Sequence, residues 1–478
     1  NSTGDNSGGS VNDCMSVNKH NSLQFKPGDI IYIIGKIQSQ IVIPSSGSAS
    51  DRITYKGNYD NSPCEIRTPY TFALKTNGND YLTIEHIEIS DAVEGIVNGK
   101  SNDISKFVTI RNCRIHNMDN RGILFSYFED SVAGGSPTHG NEIYNCGGDT
   151  AGGDIGVGVG SKNILISYNH LYGNGVDEGV DGVVFHGGGA GSVVEYNKIH
   201  DHWREDGIDI KKTNNITVRF NEIYGHHNQT GITVQMDSNN INVYGNRIRD
   251  NKIGFWIRDG NEGNIPVENV ALFSNIIHEN KEAGVLINSS GYGAPVGPFY
   301  IYNNLISDNA YDSKSDLYCG IGISSGSKEI YIKNNIFYDN RIYSSKNVRQ
   351  IYTSKEDLTK MDYNSYSSDS GKSLINYLGD DKTVEQIKNF ELEKNSSYVS
   401  RSGINPVEHQ DISEIVDIGI KLDTKFAIGI NPFLTDFSQT PPIVISKERQ
   451  IDKWEKGPFI FGKSENVNLN KVANVTIN

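Results

Sequence analysis

Residues 221–251 read NEIYGHHNQTGITVQMDSNNINVYGNRIRDN. An Asn opens a short phrase of apolar and polar residues, Gly231 starts a second strand-like run, and Asn246 begins the phrase again. Related phrases NEIYNC, NHLYGN, NKIHDH, NEIYGH, NRIRDN, NIIHEN, NLISDN and NIFYDN begin at Asn141, Asn169, Asn197, Asn221, Asn246, Asn275, Asn304 and Asn335. The steps between them are 28, 28, 24, 25, 29, 29 and 31 residues. A period in the twenties with one fixed Asn predicts a solenoid in which each coil is three short strands. The Asn side chains stack at one bend and bond backbone groups that the turn leaves unpaired. CRIHNM and IEISDA fit the same register, with Cys113 and Ile87 in the Asn place. A leucine-rich repeat is a poor fit, because its Leu framework is missing.

Working outward, glycines at 182, 207, 231, 254 and 284 open the strands GVVFH, GIDIK, GITVQ, GFWIR and GVLIN. Side chains in a strand alternate with period two. Stacked on their glycines, the strands put Val184, Asp209, Thr233, Trp256 and Leu286 in one column and His186, Lys211, Gln235, Arg258 and Asn288 in the next. A purely structural wall has no need for the second set of residue types. The insertion His200–Glu205 (HDHWRE) precedes the Lys strand and adds Trp203, Arg204 and Glu205 to the same zone. Parallel coils stack about 4.8 Å apart, so these columns gather neighbours in space. The competing reading is a solvated face whose Lys and Arg neutralise nearby Asp.

Composition agrees with many short strands and tight turns: 478 residues with 50 Gly, 4 Met and 36% hydrophobic residues. The net charge of −14 argues against general nucleic-acid or anionic-membrane binding. It leaves room for an anionic ligand in a local basic cleft. No apolar run approaches the ~18–20 residues of a membrane span. The chain opens on Asn1 rather than Met, which suggests a processed start, so the lack of a signal peptide says nothing. Five dispersed cysteines show no metal-type spacing; a Cys14–Cys64 bridge is one option, and buried thiols are the reading for the others. Residues 1–20 read as a flexible leader, 21–345 as the coil stack, and 346–478 as an extension capping it, with an edge strand and a short helix in SKEDLTKMDYNSYSSDSG and DKTVEQIKNF.

Two stretches resemble known enzymes. SGSASDRITYKGNYDNSPCEI resembles the opening rungs of right-handed parallel β-helix polysaccharide lyases. Asp206-Gly-Ile-Asp-Ile-Lys211 is similar to the D-G-x-x-x-K motif of family 9 polysaccharide lyases. The resemblance implies an all-β, right-handed parallel β-helix and a secreted or cell-surface lyase acting on an acidic, uronate-containing polysaccharide. It implies Lys211 as catalytic base and Ca²⁺ held by Asp154, Asp177, Glu178 and Asp181, and hard carboxylate oxygens suit that ion. Glu178 departs from the family's Asp, and Asp209 adds a carboxylate that the motif does not require.

The chemistry expected of such a site is removal of a C5 proton followed by expulsion of the 4-O-linked sugar. The substrate carboxylate must first be neutralised, by Ca²⁺ or Arg258. An unperturbed Lys has a pKa near 10.4, so Ca²⁺, Lys212 and Arg258 must lower that of Lys211, against the pull of Asp209. His186 is a candidate proton donor to the leaving oxygen. Trp203, Arg204, Glu205, Lys212, Thr233, Gln235 and Trp256 are candidate substrate contacts. The alternatives on the same fold are a glycoside hydrolase using Asp181 or Glu205 with Asp209, a uronate C5-epimerase, and a carbohydrate-binding β-helix without turnover. The N-T-D, D-D and G-H-G signature of polygalacturonases is absent. Oligomeric state is not legible.

Overall fold

The computed structural model describes residues 8–399 except 11–12, 62–63, 148–151, 174–179, 259–265, 289–296, 314, 316, 325–328, 341–348, 355–358 and 368–373. It also describes 422, 426, 428–430, 435–444, 446–448 and 458. Among the described residues, three long sheets of 13, 14 and 14 strands run the length of the molecule. One coil shows the pattern: Asn239–Tyr244 lies in the first sheet, Arg247–Arg249 in the second, and Ile253–Arg258 in the third. Every coil pairs in parallel with the next until Asp380–Lys382, which closes the third sheet antiparallel.

Between the first and second sheets, the Asn residues form a continuous ladder. Asn221 donates from Nδ2 to Val194 O at 3.0 Å and to Asn246 Oδ1 at 2.9 Å, while its own Oδ1 accepts Asn197 N–H at 2.9 Å. From Asn169 onward the residue before each ladder Asn takes a left-handed conformation, as at Tyr196 (φ 55°) and Phe220 (φ 59°). That turn leaves backbone donors facing inward, and the amides satisfy them. A second ladder, not foreseen from the repeat, stands between the second and third sheets. Asn251, Asn280, Asn309 and Asn340 donate one to the next at 2.8–3.0 Å. His226 precedes it, its N–H bonded to Asn251 Oδ1 at 3.1 Å.

The core is the lumen. Ile155, Val183, Ile208, Ile232 and Phe255 form one fully buried third-sheet column, and Val157, Phe185, Ile210, Val234 and Ile257 form the next. Ile and Val suit such columns because branched side chains stack well on a pleated wall.

Both ends differ from the expected divisions. The leader is not loose to residue 20: Val17–Ser22 is a helix capped by Ser16, and its His20 is buried with Nε2 3.0 Å from Tyr55 Oη. Val17 and Phe25 pack against the core. Nor do the coils stop at 345, for Ile351–Thr353, Thr359–Asp362, Ser365–Ser367 and Ile375–Tyr377 extend all three sheets, and Asn364 extends the ladder. The expected short helix is Val384–Ile387, whose Val384 and Ile387 bury against the end of the core. Phe426, Phe437 and Val444 of the extension cover an apolar strip on the outside wall formed by Phe220, Tyr244, Phe273 and Tyr302. No disulfide joins Cys14 to Cys64; the five cysteines are thiols, and all but Cys14 are buried.

Candidate active site

The third sheet pairs in the register that stacks the glycines. Val184, Asp209, Thr233, Trp256 and Leu286 are successive partners, and His186 lies opposite Lys211, which lies opposite Gln235. At the corner entering this sheet, Asp181 aligns with Asp206 and Asp206 with Thr230. Asp206 N–H donates to Asp181 Oδ1 at 3.0 Å, and Thr230 N–H donates to Asp206 Oδ1 at 2.9 Å. Asp181, Asp206 and Asp209 are all buried, and each offers an oxygen within 4.8 Å of the others. Lys211 Nζ lies 2.7 Å from Asp209 Oδ2, and Gln235 donates to Asp209 Oδ1 at 2.8 Å.

The electrostatics follow from this crowding. Burial, then the charges of Asp209, Asp206 and Glu205, holds the Asp181 carboxyl well above the usual range. Burial and Asp209 push Asp206 up to about 7. Glu205, half-buried, moves up for the same two reasons. Burial pulls Lys211 down, but Asp209, Asp181 and Asp206 outweigh it, and the net direction is up. The lowering that a lysine base requires is therefore not supplied by the protein groups here: Lys211 is held as a cation. Missing from the expected set is Asp206, which opens the DGIDIK motif and is now central. Its signal in the sequence was the repeated Asp-Gly pair, 181–182 and 206–207, one coil apart.

Asp154 sits elsewhere. It aligns with Gly182 and Gly207, where the chain rounds a corner and side chains turn inward. A Cβ at Gly182 would meet core atom Ile199 Cγ2 at 2.5 Å. The Asp154 carboxylate is accordingly inside the lumen, 3.0 Å from His202 Nε2, with both side chains fully buried. Burial raises Asp154 well above its ordinary value and pushes His202 down to about 3. Among the described residues Asp154 is not gathered with Asp181, Asp206 and Asp209, unlike the calcium-ligand set expected from the resemblance. The expected ligands Asp177 and Glu178 lie outside the described residues. Of that set Asp181 remains, and Asp206 and Asp209 are the partners that could hold a hard cation with it. Their oxygens suit Ca²⁺, which takes six to eight such ligands, although Lys211 already supplies positive charge at Asp209.

The remaining candidates divide by exposure. Thr233 and Gln235 are buried, to about the same degree as Asp181, Asp206 and Asp209. Trp256 is half-buried, with the Arg258 guanidinium 4.5 Å from its ring centroid and Nε1 donating to Asn288 Oδ1 at 2.5 Å. One face of that ring therefore serves Arg258 rather than a sugar. Trp203 is half-buried, edge-on to His227 at 5.6 Å, while Arg204 and His186 are exposed and Lys212 half-exposed around the cluster.

Residues 155–337 match the family model described as "Right handed beta helix region". The fold is a right-handed parallel β-helix. No curated protein matches the sequence. Among solved structures, the A-module of mannuronan C-5 epimerase AlgE6 from Azotobacter vinelandii is 16% identical, with 79% of this chain and 90% of that one covered and a TM-score of 0.41. A mannuronic acid specific family 6 polysaccharide lyase from human gut microbiota is 12% identical over 80% and 87%, at 0.42. The GH136 lacto-N-biosidase of Eubacterium ramulus is 13% identical over 82% and 64%, also at 0.42. At these identities the likeness concerns the fold alone. No helix among the described residues is long and apolar enough to cross a membrane.

Proposed function

We propose that this β-helix cleaves an acidic polysaccharide at the Asp181–Asp206–Asp209–Lys211 centre. The observation that carries the reading is a buried group of three carboxyls and one ammonium on adjacent coils, in which Asp181 is held above the usual carboxyl range and Asp206 is pushed up to about 7. Pairs of titratable groups whose environments push them apart divide into acid and base. Asp206, with a pKa of about 7, is suited to protonate a glycosidic oxygen near neutrality. Asp209, ion-paired to Lys211, is suited to act as the ionised partner. The nearest oxygens lie within 4.8 Å, close to the roughly 5–5.5 Å separation of retaining glycosidases, in which the second carboxylate is the nucleophile.

A second reading is β-elimination, with Lys211 Nζ accepting the C5 proton while the C4–O bond breaks, a C4–C5 double bond forms and the leaving oxygen takes a proton from water. Its support is the D-G-x-x-x-K resemblance and the exposure of the Lys211 side chain, 21% against 5% for Asp209. It requires Lys211 to lose its proton first. Ca²⁺ at Asp181, Asp206 and Asp209 would lower the pull on that proton and neutralise a substrate carboxylate. In its Asn- and Tyr-rich coils and residues 334–366 the chain also resembles the disaggregatase of methanogenic archaea, which dissolves a chondroitin-like wall polymer. Chondroitin-type glycans are therefore the first to try, with pectic and alginate polymers beside them.

The test follows ultraviolet absorbance of unsaturated uronate and reducing ends together, for wild type, Asp206→Asn and Lys211→Ala, with and without a chelator. New reducing ends without absorbance, lost in Asp206→Asn, are expected from hydrolysis. Absorbance that needs both Lys211 and calcium would install elimination in its place. Neither signal on any polymer would overturn the cleavage reading for these glycans.

A further inference from the structure

We propose that Arg258 is the receptor for a carboxylate of the glycan, and that Gln235 is a positioning residue that aims it. The proposal rests on the outward face of the third sheet being the glycan surface. Gln235 is buried and both ends of its amide are taken by protein groups, so it acts through its neighbours. Its Nε2 donates to Asp209 Oδ1 at 2.8 Å, and its Oε1 accepts from Arg258 Nε at 3.0 Å. An amide has one donor end and one acceptor end. With a carboxylate on one side and a guanidinium on the other, only this orientation is stable.

Arg258 is thus gripped on two sides. Gln235 takes Nε, and the Trp256 ring lies against the guanidinium, itself tethered through Nε1 to Asn288. The edge carrying the two Nη groups is left over. Among the described residues no carboxylate comes within ion-pair distance of it, although Asp206 and Glu205 feel its charge. A planar fork fixed in direction and lacking a bidentate partner is what carboxylate recognition uses. The surroundings sharpen the point. Asp181, Glu205, Asp206 and Asp209 outnumber Lys211 and Arg258, and Lys211 is engaged by Asp209. Arg258 is the cation of this group whose Nη edge meets no carboxylate among the described residues.

The test compares binding and turnover of oligogalacturonate and chondroitin oligosaccharides with their carboxyl-reduced counterparts. Wild type should prefer the charged forms by at least about tenfold. Arg258→Ala should abolish the preference, and Arg258→Lys should restore only part of it. Gln235→Leu should raise KM for charged oligomers by about tenfold relative to reduced ones, while any loss of kcat through its bond to Asp209 falls on both forms alike. An equal rise in KM for both forms in Gln235→Leu would reduce that residue to a packing role and overturn its part. A wild type that binds neither form, or both alike, overturns the receptor. Turnover without charge preference would keep the cleavage reading and remove only the receptor. A preference lost in Arg258→Ala, in a protein that never cleaves, would do the reverse.

Discussion

Two corners of the same coil solve the same problem with different groups. At the bend between the first and second sheets, backbone N–H groups are met by Asn oxygens, as Asn197 N–H is by Asn221 at 2.9 Å. At the corner entering the third sheet, the N–H groups of Asp206 and Thr230 are met by the carboxylates of Asp181 and Asp206 at 3.0 and 2.9 Å. An Asn would make either bond without a charge. The fold therefore does not ask for carboxylates at 181 and 206, and their burial beside Asp209 costs stability that neutral amides would spare. A titratable carboxyl kept where the backbone needs only an oxygen points to chemistry rather than architecture.

The sharpest way to break this comparison is to exchange the groups. Asp206→Asn keeps an oxygen for Thr230 N–H and should lower kcat by a factor of about 10²–10⁴, the usual worth of a general acid. The same variant should be more stable than wild type at pH 8. The folded Asp206 carboxyl holds its proton up to about pH 7, above its value of 3.8 in the unfolded chain, so wild-type stability falls as pH rises through that window. Kinetics and thermal melts on one preparation check both halves. A variant that loses activity and melts lower would make Asp206 structural.

The reverse exchange, Asn221→Asp, should destabilise at neutral pH by about 3–5 kcal/mol. It buries a charge and removes the donor to Val194 O and Asn246 Oδ1. Denaturant unfolding should place it below Asn221→Ala, which loses the bonds but adds no charge. Lys211→Met should follow at about 2–3 kcal/mol, less than a fully buried pair because Lys211 is 21% exposed. Pairing it with Asp209→Asn should recover most of that loss in a double-mutant cycle, since the stranded charge is then gone.

How much of this was legible depends on periodicity. The Asn phrase at Asn141–Asn335 gave the coil, the first ladder and the column register, because each recurs at a fixed distance and one coil predicts the next. The second ladder was visible as the final Asn of NRIRDN, NIIHEN, NLISDN and NIFYDN, but His226 and His202 hold its earlier places and break the pattern. Alternation failed at the corner. Asp154 and Asp181 occupy neighbouring positions on adjacent coils, Asp181 opposite Gly153, yet one faces the lumen and the other the site. A bend of one residue reverses inside and outside, and period two cannot see it. The direction of the Lys211 shift depended first on Asp209, already legible as opposing the lowering, with Asp181 and then Asp206 adding to it.

The first ladder also ends on a carboxylate, and this end separates the cost of a buried charge from its use. Asn364 Nδ2 donates to Glu393 Oε1 at 3.0 Å, Tyr366 Oη donates to the same oxygen at 2.5 Å, and Ser396 donates to Oε2. Every aligned amide in the ladder points its donor toward this end, so an anion there meets partial positive charge. Burial nevertheless pushes Glu393 up to about 7. The folded value lies above the unfolded 4.5, so the folded state keeps a proton that the unfolded chain gives up. Stability should be unaffected below pH 4.5, decline from there to about 7, and level off above it, with a total near 3 kcal/mol at most. Glu393→Gln should remove that slope, so its melting temperature relative to wild type should climb across the window and then hold. Glycan turnover should not change, because Glu393 closes the coil stack far from Asp206. If the substitution flattens the pH–stability curve and also moves the activity profile, the division between structural and chemical carboxylates drawn from the two corners does not hold.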